Sequence, residues 1–273
     1  MIKRKIKINI DKDELELEVE GNTFCGDDTV MLENDDNVIA ATSWNERGYT
    51  VAPFLKEDEF KQLKDGATNM FIEWLKETGV RNLEDFSLEK YHKYVNAEQH
   101  LQLTKRWNML DASFLPIDSA IITKRISEIC ETELTLQKEG YGEFFLLRKV
   151  RPGGTYDFNP PHRDVYLDRI RNAVNIYAPL SGSNERSSLP LIPGSHFWKE
   201  SDIERTELHS RVNGVQFTVP CVVGSPRGFQ MTRPNPRLNE VLVFSPYMVH
   251  GCAANLNDDL TRISLEMRFW RRK

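Results

Sequence analysis

What the chain lacks narrows the field first. Its four cysteines, Cys25, Cys130, Cys221 and Cys252, are scattered, with no C-x-x-C pair and no short disulfide framework, so a zinc-ribbon reading has no support and a reduced compartment fits. No apolar run approaches the ~20 residues that a membrane span requires. The first ten residues interleave Lys3, Arg4, Lys5 and Lys7 with isoleucines and build no continuous apolar core of a secretory signal. A cytoplasmic location without membrane contact is the expectation. Positive charge is not in excess either: a formal net charge of -5 speaks against a nucleic-acid binder that works through phosphate contacts. Internal repeats, low-complexity tracts and Pro/Ser-rich linkers are absent as well.

What is present suits one sizeable core. The chain has 273 residues, 40% apolar and 28% charged, the mix of a globular domain rather than of a disordered one. Residues 2 to 20 alternate, with Ile2, Ile6, Ile8 and Ile10 and then Leu15, Leu17 and Val19, which predicts two strands joined across Asp11-Lys12-Asp13. Residues 1–45 are therefore expected to be an N-terminal β-hairpin extension, and residues 46–273 the main domain. From Lys56 to Thr78 the apolar residues Phe60, Leu63, Ala67, Met70, Phe71, Trp74 and Leu75 recur at helical spacing, with Gly79 as a stop. A polar, helix-prone stretch follows from Asn82 to Leu115, and a further helix is predicted from Asp118 to Leu134. Residues 56–134 thus read as a helical buttress. From Gly142 onward the pattern changes to short β-branched and aromatic runs: Phe144 to Val150, Ala173 to Leu180, Val215 to Val223, Glu240 to Phe244 and Ile263 to Phe269. Several short strands at such spacing indicate a sandwich or barrel over residues 142–270.

Within that β-rich half sit the residues that carry chemistry. His162-Arg163-Asp164 places an imidazole and a carboxylate two apart, so that on a strand both point to one face. His250, after the apolar run Val241 to Phe244 and inside Pro246-x-x-x-His250-Gly251, is the natural third ligand. Two histidines and one carboxylate on one face of an octahedron leave positions open for substrate and dioxygen, which suits ferrous iron, although affinity alone also admits manganese, cobalt or nickel. Twelve residues after His250, Arg262 and Ser264 share a strand face, a geometry for a bidentate salt bridge to a carboxylate with an added hydrogen bond.

The runs Arg148-Lys149-Val150-Arg151-Pro152-Gly153-Gly154, Pro160-Pro161-His162-Arg163-Asp164, Leu191-Ile192-Pro193-Gly194-Ser195-His196 and Val243 to Gly251 together resemble the phytanoyl-CoA dioxygenase family of iron(II) and 2-oxoglutarate-dependent oxygenases. The similarity covers roughly Arg148 to Arg268, and Gly48 to Leu55 extends it weakly. The resemblance implies a mainly β fold with flanking helices around a double-stranded β-helix core, the jelly roll of cupin-like proteins. It also implies His162, Asp164 and His250 as ligands of Fe(II), and Arg262 with Ser264 on the distal carboxylate of 2-oxoglutarate. Asn175, Tyr177 and Arg148 are further candidates for contact with that co-substrate, against plain structural roles. Dioxygen would be consumed, succinate and carbon dioxide released, and a C–H bond of a small-molecule substrate hydroxylated or otherwise oxidised. Asp164 favours oxidation over halogenation, since related halogenases lack that carboxylate.

Two other classes compete: a cupin-like metal enzyme that needs no 2-oxoglutarate, and a non-catalytic jelly-roll binding protein. Arg151, Arg163, Arg171, Arg186, Arg211, Arg227, Arg233 and Arg237 crowd the β-rich half, and several of them at the pocket mouth would favour an anionic substrate over a merely basic face. The long stretch from Phe197 to Leu238 is expected to shape the pocket. A hydrophilic sugar derivative or natural-product intermediate is expected over a lipid. His196 reads as organising its loop, and His92, His100 and His209 as solvated. Oligomeric state is open.

Overall fold

The computed structural model describes residues 3–107, 109–153 and 157–272. Met1, Ile2, Asn108, Gly154 to Tyr156 and Lys273 lie outside it, and with them Ile2 of the alternating hairpin pattern and Gly154 of the first motif. Fifteen strands and three α-helices follow in order: β1 (Lys3–Ile10), β2 (Asp13–Glu20), β3 (Thr23–Cys25), β4 (Tyr49–Pro53), α1 (Glu57–Glu77), α2 (Ala97–Arg106), β5 (Leu110–Asp111), α3 (Ser119–Ile129), β6 (Leu134–Thr135), β7 (Phe144–Val150), β8 (Ala173–Ser181), β9 (Glu204–Thr206), β10 (Arg211–Val212), β11 (Val215–Gln216), β12 (Val222–Gly224), β13 (Gln230–Met231), β14 (Glu240–Phe244) and β15 (Arg262–Arg271).

The architecture follows from two facing layers. The larger sheet runs β4-β14-β8-β15-β7-β5, with β6 on the far end of β15. Its outer face carries Leu147, Ile176, Val243, Leu265, Met267 and Phe269, and these pack on Phe60, Leu63, Phe71 and Trp74 of α1 and on Ile122 and Ile126 of α3 in one buried cluster. The alternate residues, Arg148, Asn175, Phe244, Glu266 and Arg268, turn to the inner face. Opposite them the second layer is stitched by single bridges, His162 to His250, His250 to Leu191 and Leu191 to Thr232, and carried on by the sheet β13-β1-β2-β10-β11. The chain thus alternates between layers: β7, then His162, β8, Leu191 and Thr232 as a pair, β14, His250, β15. That is the double-stranded β-helix, mainly β with helices on one flank.

The hairpin forms as its alternation requires. Ile6, Ile8, Ile10, Leu17 and Val19 face inward with Ile192, Val249 and Ala254, while Lys3, Lys5 and Lys7 pair outward with Glu14, Glu16, Glu18 and Glu20. A two-residue loop, Asp11-Lys12, closes it with Asp11 at φ 52, a left-handed conformation that Asp tolerates. Far from being an isolated appendage, β1 pairs in parallel with β13 and β2 antiparallel with β10, so the hairpin forms the middle of the five-stranded sheet β11-β10-β2-β1-β13 in the second layer.

Three sequence expectations change. The helix expected to Leu134 stops at Ile129, because Glu131 adopts φ 52 and the chain leaves to pair β6 with β15. The run Val215 to Val223 is no single strand: Pro220, which cannot donate to a ladder, separates β11 from β12. No residue of 197–238 lines the cavity above His162, Asp164 and His250; the segment supplies β9, β10 and β13, which pair with β3, β2 and β1.

Lys149 is an oddity of the outer face. It is 5% exposed, its Nζ donates to the carbonyls of Leu147 and Trp107 at 3.1 Å, and it lies 5.5 Å from the Trp74 ring. Burial, and secondarily Arg148, pushes its ammonium from 10.5 to about 7. Well below pH 7 both folded and unfolded chains hold the proton; as pH rises through about 7 the unfolded chain holds more, so stability rises with pH until about 10.5. Lys149→Met removes that slope. Urea denaturation across pH 7 to 10 checks it, the wild type gaining on the variant as pH rises; a constant difference would refute the assignment.

Candidate active site

The inner face meets the second layer at His162, Asp164 and His250. His162 and His250 are locked together by a reciprocal backbone pair, His162 N to His250 O at 2.8 Å and His250 N to His162 O at 3.0 Å. Gly251 permits this approach: it sits at φ 126, and a Cβ there would come 2.4 Å from the Pro160 carbonyl. His162 stands in a single bridge, not in a longer strand, and Asp164 opens a one-turn 3-10 helix, its N–H bonded to Pro246 O at 3.0 Å. The i, i+2 argument therefore gives the right juxtaposition through a bridge and a turn.

One ligand atom from each of the three buried residues lies within 4.8 Å of the other two. Their second atoms are already engaged. His162 Nδ1 meets Pro160 O at 2.7 Å and His250 Nδ1 meets Met248 O at 3.0 Å, contacts that place the ring proton on Nδ1 and leave both Nε2 lone pairs bare. Burial, then the neighbouring His162, lowers His250 to about 4, so this imidazole is neutral at physiological pH, as a ligand must be. Burial alone would raise the Asp164 carboxyl, but the Arg268 guanidinium, the largest opposing cause, outweighs it and holds the group well below the ordinary carboxylate range. Asp164 Oδ2 accepts from Asn175 Nδ2 at 2.9 Å and Arg268 Nη2 at 2.9 Å and lies 4.0 Å from His250 Nε2, which leaves Oδ1, 3.4 Å from His162 Nε2, without these donors. Two bare imidazole nitrogens and one free carboxylate oxygen form a donor set that fits a divalent transition metal.

The other residues named from sequence fall into two groups. Arg262 is fully buried at the start of β15, and its Nε and both Nη have no hydrogen-bond partner among the described residues; its guanidinium lies 5.6 Å from the Tyr177 ring. Ser264 is fully buried on the same strand, and Tyr177 bonds Ser183 Oγ at 2.7 Å. Asn175, by contrast, is committed to Asp164, and Arg148 Nε to Glu266 at 2.9 and 3.0 Å. Arg148, Glu266 and Arg268 with Phe158, Leu189 and Phe244 wall a cavity of about 530 Å³, mouth included, that opens over the triad.

Arg268 and Glu266 escaped the sequence reading, although carrying the alternation of Arg262 and Ser264 two steps further reaches both. None of the eight arginines singled out as a possible mouth lines the cavity. Arg163 points away from it, bonded to Glu200 Oε1 at 2.5 Å and to the Ser195 carbonyl. His196 organises its loop through Nε2 to Asn45 O at 2.8 Å. His100, expected in solvent, is buried between Tyr91 and Asp157, and His92 bonds Thr261 and Asp259; His209 is exposed.

No family model and no curated protein matches the chain. Among solved structures it is similar to EctD from S. alaskensis with 2-oxoglutarate and 5-hydroxyectoine, at 15% identity over 92% of this chain and 84% of that one, with a TM-score of 0.47. AviO1 from Streptomyces viridochromogenes Tue57 gives 17% identity, 89% and 96% coverage and 0.46, and the epimerase SnoN in complex with Fe3+, alpha ketoglutarate and nogalamycin RO gives 13%, 84%, 80% and 0.43. These are likenesses of backbone course and say nothing of which chemistry this chain performs.

Because Arg268 fixes which Asp164 oxygen is free, Arg268→Gln should weaken Fe(II) binding by about 10- to 100-fold. Competition against a chromophoric chelator measures this; unaltered affinity would mean the guanidinium does not orient the ligand.

Proposed function

We propose that the chain is an iron(II)- and 2-oxoglutarate-dependent oxygenase that hydroxylates or otherwise oxidises a C–H bond of a small polar substrate, in line with the resemblance to the phytanoyl-CoA dioxygenase family. The observation that carries the reading is Arg262: a guanidinium buried without an anion costs several kcal/mol, and the missing partner has the chemistry of a carboxylate. A metal enzyme that needs no keto acid has no use for it.

In this reading His162 Nε2, His250 Nε2 and an Asp164 oxygen hold the iron, and Arg262 with Ser264 and Tyr177 receives the distal carboxylate of 2-oxoglutarate. Bound there, iron and keto acid would supply the dioxygen-activating chemistry for C–H oxidation, the keto acid being consumed to succinate and carbon dioxide. The protein's own part is positional. Pro160 O and Met248 O fix the imidazole tautomers, and Asn175 and Arg268 restrain the carboxylate. Phe158, Leu189 and Phe244 exclude water above the ligands, while Arg148, Glu266 and Arg268 give one wall hydrogen-bonding capacity of both signs. That mixture supports a polar substrate with apolar parts over a lipid chain.

Anaerobic addition of Fe(II) and then 2-oxoglutarate should produce the weak visible charge-transfer band of a chelated keto acid; its absence would sink the proposal. Arg262→Ala should weaken 2-oxoglutarate binding by about 30-fold or more and leave iron affinity intact, whereas equal loss of both would count against the assigned role. Asp164→Ala should abolish substrate-dependent succinate release.

A further inference from the structure

Five donor atoms in the region around the start of β15 are buried and lack a partner among the described residues: the three guanidinium nitrogens of Arg262, Nε of Arg233, and the hydroxyl of Ser188. Arg233 comes from the opposite layer, directly after the Thr232 that bridges to Leu191. It is 7% exposed, and its remaining nitrogens donate to the carbonyls of Ser188 and, at 3.2 Å, Ala254. The loop that ends at Ser188 is anchored on the Arg262 backbone. Gly182 lies so close to Thr261 that a Cβ there would meet its carbonyl at 2.0 Å, and Ser187 Oγ closes back on Gly182 O at 2.8 Å.

Two guanidinium cations therefore share one interior region, and among the described residues no anion pairs with the open nitrogens of either. Burial first, and the like charge of Arg262 second, lower Arg233 to about 10, with Tyr177 and then Asp11 and Asp13 giving weaker relief. The Asp11 carboxylate is already engaged, accepting Thr232 Oγ1 at 2.8 Å and the Arg233 N–H at 3.1 Å. It holds the backbone of Arg233 and does not neutralise the head group by direct pairing. A fold bears two such cations when a ligand brings the negative charge.

We propose that Arg233 and Ser188 complete, with Arg262, a two-arginine seat for the distal carboxylate of the keto-acid co-substrate, and that the Asp11 turn of the N-terminal hairpin holds this seat in register. The inference rests on the oxygenase reading and adds to it a selectivity: a keto acid without a second carboxylate leaves both guanidinium groups unanswered, so the site rejects it. It also gives the hairpin, remote from the metal ligands in sequence, a share in co-substrate affinity.

The test is anaerobic isothermal titration of 2-oxoglutarate and of 2-oxobutanoate into the Fe(II)-loaded protein, its Arg233→Met, Ser188→Ala and Asp11→Asn variants, with iron affinity and metal-free melting temperature measured beside it. Arg233→Met should weaken 2-oxoglutarate by about tenfold or more, narrow the gap to 2-oxobutanoate, and keep iron affinity. Its metal-free melting temperature should hold or rise, since an unanswered charge has gone. Ser188→Ala and Asp11→Asn should each weaken 2-oxoglutarate by several-fold, and they decide the matter if Arg233→Met does not fold. Binding within about twofold of wild type in the folded variants, or a lower melting temperature with unchanged binding in Arg233→Met, overturns the proposal and leaves the oxygenase reading standing. A wild type that takes up iron but no 2-oxoglutarate overturns both.

Discussion

Everything at the centre depends on one reciprocal pair of backbone hydrogen bonds, between His162 and His250. Eighty-odd residues of chain separate the two, and no side-chain preference would bring their imidazoles together. The bridge does so through the main chain, which is indifferent to residue type except at Gly251, where the crowded Pro160 carbonyl admits no Cβ. Once the bridge is made, the ring orientations follow from two further carbonyls, and the carboxylate from a turn and two donors.

Much of this was legible in the sequence, and the part that was not has a physical pattern. Strands with strict alternation, such as β1, β2 and β15, and the long amphipathic α1 show themselves because burial on one side writes a period into the chain. Beyond the hairpin the second layer shows itself poorly, since around the triad it is stitched by single bridges at His162, Leu191, Thr232 and His250, too short to carry any period. For that reason the segment 197–238 read as pocket loops when its strands in fact cover the hairpin. The roles of Asn175 and Arg148 depended on register and on which neighbour reached them first: Asp164 for one, Glu266 for the other. Arginines counted along the chain said little about the pocket, because a guanidinium reaches far and Arg163 spends its reach on Glu200, away from the cavity.

The interior charges divide by how they are answered. Arg163 meets a carboxylate and carbonyls, and Arg268 meets Asp164, so both act as struts. Lys149 finds only carbonyls and aromatic faces and yields its proton readily. Arg262 finds no hydrogen-bond acceptor at all among the described residues. A strut can be replaced by apolar packing with little harm to the fold, but an unanswered cation is explained by something the protein expects to meet.

The hairpin's partners have a bearing on how the molecule comes into being. β1 and β2 emerge from synthesis well before β10 and β13, which cover their edges and are made some two hundred residues later. Until then an amphipathic ribbon with bare edges must wait in the company of other nascent chains, a state open to wrong pairing. The rungs of lysine and glutamate along its outer face, of small value to the finished fold, keep one side of that waiting ribbon hydrated and discourage it from stacking on a neighbour.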